Sequence, residues 1–310
     1  MKGFQANRVA GPKGVARQHG GLKAPIMKNF LRKLYPKLPI VRELNQIRSE
    51  LWAMKVNETL RLLDFELTDH PRYGDALRLM RYQSQVSSQN GEDGMIHEIF
   101  RRIGKTNEVF AEVGAGNGIE NNTSFLLGQG WSGFWVDAEA ELVDALAKLP
   151  DHQRKRVNYH LGLVDRENIA GIFEQMGVPR EFDLLSLDID QNTYYAWEGL
   201  SDYRARVVVI EYNASIPADL DWKVPYDPKA MWNLTINSGA GLKAFENLGR
   251  ELGYCLVGCD FLGVNAFFVR EDLVGDLFSA PFTSENHHEP PRYSMLSRRG
   301  HKPAILHQRK

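Results

Sequence analysis

Between Phe110 and Gly118 the chain reads Phe-Ala-Glu-Val-Gly-Ala-Gly-Asn-Gly, an apolar run that ends in an acid and continues into glycines at alternate positions. A strand ending at Val113 delivers Gly114, Gly116 and Gly118 to a tight turn, where the missing Cβ lets the backbone approach a ligand. A helix beginning near Asn121 points its positive end at the same crevice. Open α/β sheets take nucleotides in such crevices, at the carboxyl ends of their strands. The next apolar run, Gly133–Val136, ends in Asp137, whose carboxylate suits two ribose hydroxyls. Glu139 is a second candidate for that role, and capping the following helix is the competing role for Asp137.

A second acidic group sits further along. Phe182–Leu187 leads into Asp188-Ile189-Asp190-Gln191-Asn192, and Arg206–Ile210 leads into Glu211-Tyr212-Asn213. If both runs are neighbouring strands, Asp188, Asp190, Glu211 and Asn213 converge on one edge. Hard oxygen donors gathered in this way suit Mg²⁺, which would hold substrate oxygens and acidify a hydroxyl. Without a metal, one carboxylate serves as general base, its pKa raised by its neighbours. The competing role for Asp190 and Asn192 is to cap the helix containing Tyr194 and Trp197. His160, ending another strand, is either a further base or a local hydrogen-bonding residue.

These groups need a frame. Strand patterns fall at 109–113, 133–137, 157–161, 183–188 and 206–211, with helices starting near 121, 139, 166 and 193. The alternation argues for a parallel sheet covered on both faces. Gly239 to Leu252 reads as a further helix stopped by Gly253, and Tyr254–Gly258 and Asn265–Arg270 as a closing antiparallel pair. Upstream, Leu44, Ile47, Leu51 and Met54 recur at helical spacing, as do Leu60, Leu63 and Leu67. The organisation expected is a flexible basic arm over 1–25, a helical extension over 26–85, a catalytic domain over 86–284 and a tail over 285–310. The tail lies across the surface or stays mobile, and its His287-His288 pair is not expected to share a metal.

The chain has 310 residues and a formal net charge of −1, which gives no signal for nucleic acid or membrane. Residues 1–50 carry 11 Lys and Arg against Glu43 and Glu50, a solvated basic arm. Cys255 and Cys259 are expected as buried small residues rather than a disulfide or metal pair. No apolar run reaches the length of a membrane span, and a cytoplasmic location is expected.

The dinucleotide pattern G-x-G-x-x-G requires glycine at 119, where Ile119 stands. The spacing from Glu112 through Gly114 and Gly116 to Gly118 instead resembles motif I of the class I S-adenosylmethionine (SAM) methyltransferases. That resemblance implies a Rossmann-like, doubly wound seven-stranded sheet in the order 3-2-1-4-5-7-6. It implies SAM over the glycine loop, with contacts from Glu112, Gly114, Gly116, Asn117, Gly118 and Asp137. Gly162 and Leu163, after the third strand, would lie near the adenine. Gln89 or Glu92, in the polar run Ser88-Gln89-Asn90-Gly91-Glu92-Asp93-Gly94, would reach the ammonium of SAM, unless the run only caps the helix that follows.

The order Ser88-Gln89-x-Gly91-Glu92-Asp93, the glycine loop, Asn122-Thr123 and Gly130-Trp131-x-Gly133 resembles FkbM-type SAM-dependent methyltransferases over roughly residues 85–270. The resemblance implies O-methylation of a sugar, polyketide or other natural-product hydroxyl. Asp188-Ile189-Asp190-Gln191 departs from the single acid and Glu-Gly common in that family. The expectation is an O-methyltransferase with SAM and possible Mg²⁺, a small-molecule acceptor, no nucleic-acid partner, and self-association through the N-terminal helices. Ala214–Asn237, with Trp222, Tyr226 and Trp232, is the candidate acceptor wall. The alternatives are a metal-dependent glycosyltransferase using Asp188-x-Asp190 and a non-catalytic SAM-fold binding module.

Overall fold

A computed structural model describes residues 39–62, 70–232 and 234–293; the arm expected over 1–25 and the end of the tail, 294–310, lie outside them. The chain divides into two compact units, residues 1–53 and 54–310. Helix α1 is Pro39–Arg61. The second unit continues with α2 (Glu92–Ile103), β1 (Val109–Val113), α3 (Ser124–Gly128), β2 (Ser132–Asp137), α4 (Glu141–Lys148) and β3 (Val157–Leu161). Then come α5 (Ile169–Met176), β4 (Glu181–Leu187), α6 (Thr193–Gly199), β5 (Arg204–Glu211), α7 (Leu242–Glu251), β6 (Tyr254–Cys259) and β7 (Asn265–Arg270).

Among the described residues the strands form one seven-stranded sheet in the order β3-β2-β1-β4-β5-β7-β6, as expected from the sequence. β1 to β5 pair in parallel, whereas β7 runs antiparallel to both β5 and β6. The parallel strands are near-continuous apolar runs because both faces are covered. Alternate residues serve the two faces. Ala111, Leu185, Val208 and Phe268 pack with α5, α6 and α7 through Phe173, Trp197 and Phe245. Phe110, Leu184, Val207 and Phe267 pack with α2, α3 and α4 through Ile99, Leu127 and Leu146.

Register is pinned at the amino end of β4. Buried Asp183 accepts hydrogen bonds from the backbone N–H groups of Thr106, Asn107 and Glu108 and pairs with Arg206 at 3.3 Å. That leaves the carboxyl ends of β1, β2, β4 and β5 level with one another, and the acidic residues leave the strands there.

Residues 284–293 form a strap against the sheet. Its centre is buried Glu289, which pairs with Arg72 at 3.2 Å and Arg292 at 2.9 Å and accepts the Tyr73 hydroxyl at 2.8 Å. The Tyr212 hydroxyl donates to the Glu289 carbonyl. Cys255 and Cys259 are free thiols on β6. Among the described residues no helix is long and apolar enough to cross a membrane.

Candidate functional site

Two clefts meet at the carboxyl edge of the parallel strands. The first holds about 680 Å³ of atom-free space, partly open to solvent, and is bordered by Gln89, Glu92, Glu112, the turn Gly114–Asn117, Asn121, Asp188 and Asn265. The second holds about 920 Å³ and is bordered by Asp137, Glu139, Gly162, Leu163, Asp188, Asp190, Asn192 and Trp232. Gly114 and Asp188 belong to both walls, so a long ligand spanning the clefts crosses the edge between β1 and β4 at these residues.

The glycine turn is built for close approach. Gly114 has φ +86°, and a Cβ there would collide with the Asp188 carbonyl oxygen. Its N–H donates to the Val136 carbonyl at 2.9 Å, and the Asp188 N–H donates to the Val113 carbonyl at 2.9 Å. Gly116, at φ +54°, has open space where a Cβ would stand. Gly118 has turned inward. Its Cβ would lie 3.0 Å from the Trp135 ring, so this glycine serves packing and is not among the residues bordering either cleft.

Asp137 anchors the turn from β2. One carboxylate oxygen accepts the Gly116 N–H at 2.6 Å and the other the Glu139 N–H at 2.8 Å. Each oxygen retains a second acceptor direction. Glu112 lies beneath. Its oxygens accept the Asn122 N–H at 2.9 Å and the Thr123 hydroxyl at 2.5 Å, and the Trp135 indole N–H donates to the same hydroxyl. Burial pushes the Glu112 carboxyl up to about 7, against the pull of these hydrogen bonds.

A group whose pKa rises on folding stabilises the fold below its ordinary value, here 4.5, and loses that contribution as pH climbs through about 7. One such proton contributes up to about 1.4 kcal/mol per pH unit. Glu112→Gln is therefore expected to flatten the fall in stability across that window. Urea unfolding at either end of it measures the change, and an unaltered pH slope would contradict the assigned burial.

The first cleft holds a polar cluster at its far end. Glu92 accepts the Asn90 N–H at 2.8 Å, the Asn90 side-chain amide at 2.9 Å and the Asn265 amide at 2.6 Å. The Asn265 Oδ1 is buried and has no hydrogen-bond partner among the described residues. Asp260 lies behind it, accepting backbone N–H groups of Leu262, Val264 and Asn265, and burial with Glu92 nearby raises it to about 8. Asp93 gathers the N–H groups of Val86, Ser87 and Ser88, while the Ser88 hydroxyl accepts the Asp93 N–H. The loop over residues 86–91 is thus a cap for α2 and also a wall of the cleft.

Asp188 stands at the junction, Asp190 borders the second cleft, and Glu211 borders neither cleft but lies beside Asp188 at the end of β5. Asp188, just after β4, and Glu211, the last residue of β5, are both raised above the ordinary carboxylate range. Burial is the largest cause raising both, and the hydrogen bond between them raises Glu211 further and lowers Asp188. That hydrogen bond favours the proton on Glu211 over Asp188. Asp188 is enclosed by protein yet faces the open clefts, so its exposed surface is the ligand-facing one. Asp190, raised by burial, sits at φ +53° in the left-handed region, at the rim of the second cleft.

The set Asp188, Asp190, Glu211 and Asn213 does not fit a cation. The Asn213 amide is spent on the carbonyls of Ile236 and Ser238 at 2.7 and 2.9 Å, and its Oδ1 accepts the Ser215 N–H. Burial raises both strand-end carboxyls toward the neutral form, which is a poorer cation ligand. Among the described residues no three His, Cys, Asp or Glu side chains gather as metal ligands. His160 borders neither cleft; its ring packs against Gly162.

The acceptor-wall segment is anchored where the acids emerge. Asn192 donates to the Asp227 carbonyl at 3.0 Å, Gln191 to Asn237 at 3.2 Å, and the Tyr195 hydroxyl to Val224 at 2.6 Å. Tyr226 is held by Tyr195, Arg166 and Glu167, whereas Met231 and Trp232 border the second cleft with exposed side chains. Sequence reasoning missed Asn265 and Asp260, polar positions with no motif around them.

No family model matches the sequence, and no curated protein matches it. Solved structures do. An O-methyltransferase from Bacillus cereus in complex with SAH is similar at 16% identity and TM-score 0.39, over 69% of this chain and 89% of that one. The methyltransferase domain of bacterial CtHen1-C is similar at 15% identity and TM-score 0.36, over 58% and 97%. The glycopeptide N-methyltransferase MtfA complexed with SAM is similar at 15% identity and TM-score 0.33, over 56% and 85%. The strand order and the cleft residues, rather than these distant likenesses, define the fold and the candidate site.

Proposed function

We propose that the chain is a SAM-dependent methyltransferase of the FkbM type, acting on a hydroxyl of a sugar, polyketide or other small metabolite. The observation that carries this reading is the pair of clefts joined at Gly114 and Asp188. The first suits an amino-acid end: Glu92 and the unpartnered Asn265 Oδ1 can accept from an ammonium, and the amides of Asn90 and Asn121 offer donors to a carboxylate. The second suits a nucleoside, with Asp137 for the ribose hydroxyls and Leu163, Ile189 and Trp232 as apolar walls. The motif order from Ser88 to Gly133 supports the family type.

Bound SAM supplies a methyl group already activated on a sulfonium. The chain's own task is to place the acceptor oxygen in line and to receive its proton, and positioning accounts for most of the acceleration. Asp188, in its ionised form, accepts the hydroxyl proton as the oxygen takes the methyl group. Asp190 and the loop carrying Met231 and Trp232 orient the acceptor. No cation is needed in this scheme.

Asp137→Ala is expected to weaken SAM binding about 10- to 100-fold, the loss of two charge-assisted hydrogen bonds. Calorimetric titration checks it, with thermal unfolding of both proteins as control, because Asp137 also holds Gly116 and Glu139. An unchanged dissociation constant in the folded variant rules out the ribose role. Tritium transfer from labelled SAM to a panel of hydroxylated acceptors tests the reaction class. Release of nucleoside diphosphate from a sugar nucleotide instead would move the chain to glycosyl transfer.

A further inference from the structure

Helix α1 presents Ile40, Leu44, Ile47, Leu51 and Met54 at intervals of four, three, four and three residues. This is a heptad seam, with Leu44 and Leu51 at a and Ile40, Ile47 and Met54 at d. All five are more than half exposed, from 52% to 67%. The helix buries Val41 and Thr59 instead, about a quarter-turn round from the seam. An exposed apolar stripe of this length is the surface of an association.

The flanking charges identify the partner. Glu43 and Glu50 occupy g, and Arg48 and Lys55 occupy e. In a parallel pair, g of one helix faces the e position five residues on in the other. Glu43 then meets Arg48 of the second copy, and Glu50 meets Lys55 of the second copy. An antiparallel pair would set glutamate against glutamate and cation against cation. Among the described residues Glu43, Arg48 and Lys55 make no ion pair, and Glu50 accepts only the Gln46 amide, at 3.0 Å. Past Met54 the seam stops. Glu58 and Arg61 take the next a and d positions and pair with each other within the helix at 2.9 Å.

We propose that α1 self-associates as a parallel coiled coil with further copies of this chain, through Ile40, Leu44, Ile47, Leu51 and Met54. Leucine at a with isoleucine at d favours more than two strands, so four copies are the preferred assembly.

Sedimentation velocity of the full chain tests this. The wild type is expected to sediment as an assembly, and Leu44→Asp with Leu51→Asp as a monomer, its dissociation constant raised at least ~100-fold, with SAM binding unchanged as the folding control. Direction is read by disulfide trapping in a Cys255→Ser background. Met54→Cys alone is expected to form covalent pairs under mild oxidation. A charge reversal, Glu43→Lys with Glu50→Lys, is expected to weaken assembly about tenfold and to be rescued on mixing with Arg48→Glu and Lys55→Glu. A wild type that is monomeric at its highest soluble concentration overturns the proposal, as does an assembly untouched by the two aspartates. Trapping only when Ile40→Cys is mixed with Met54→Cys also overturns it, because that is the antiparallel pattern.

Discussion

Gly114→Ala is expected to abolish measurable SAM binding, a loss of at least about 100-fold, or roughly 2.7 kcal/mol. Two effects add. At φ +86° any Cβ is strained, by about 1–2 kcal/mol. The new methyl would also strike the Asp188 carbonyl oxygen, which is main chain directly after β4 and cannot swing away as a side chain would. Relief requires parting β1 from β4 where the two clefts join. Gly116→Ala is the matched comparison. It carries the same backbone strain at φ +54° but meets open space, so a loss of about tenfold or less is expected. Calorimetry on both variants reads the difference, with melting temperature as control, and equal affinities would mean that the junction is not where the cofactor passes.

The second large effect belongs to Asp188. Asp188→Asn keeps the shape and removes the proton acceptor, so turnover is expected to fall about 10²- to 10⁴-fold while SAM affinity stays within a few-fold. Glu211→Gln is the discriminating partner, because its amide can still donate to Asp188. Turnover within about tenfold of the wild type is expected there. The wild-type rate should rise with pH as Asp188 loses its proton, and that limb should lie above the ordinary carboxylate range, because burial raises the group. Initial rates across pH for the three proteins decide the assignment. If Glu211→Gln is the dead variant and Asp188→Asn the active one, the two roles are reversed.

The sheet was legible in the sequence because its signals are local. Apolar runs ending in glycine or acid marked the ends of β1, β2, β4 and β5, and the sheet order matches the one expected. The glycine turn was legible for the same reason: all three glycines take positive φ, a conformation glycine adopts without strain. What could not be read was which way each residue faces once the turn closes. Gly118 turned toward Trp135, and Asn213 became the anchor of a loop instead of a ligand.

Long-range polar pairing was equally hidden. Glu289 meets Arg72 across more than two hundred positions of chain, with no periodicity to announce it. Asn265 resembles any polar residue opening a strand. Its place in the site follows from Glu92 and Asp260 standing beside it, and those are contacts between α2, β7 and the loop before β7.

The most direct test is a calorimetric titration of the full chain with SAM and with S-adenosylhomocysteine, each in EDTA and again in Mg²⁺. The expected result is one saturable site per chain for both compounds, with affinities independent of Mg²⁺. Absence of binding by either compound, from a protein shown to be folded, would contradict the account at its centre.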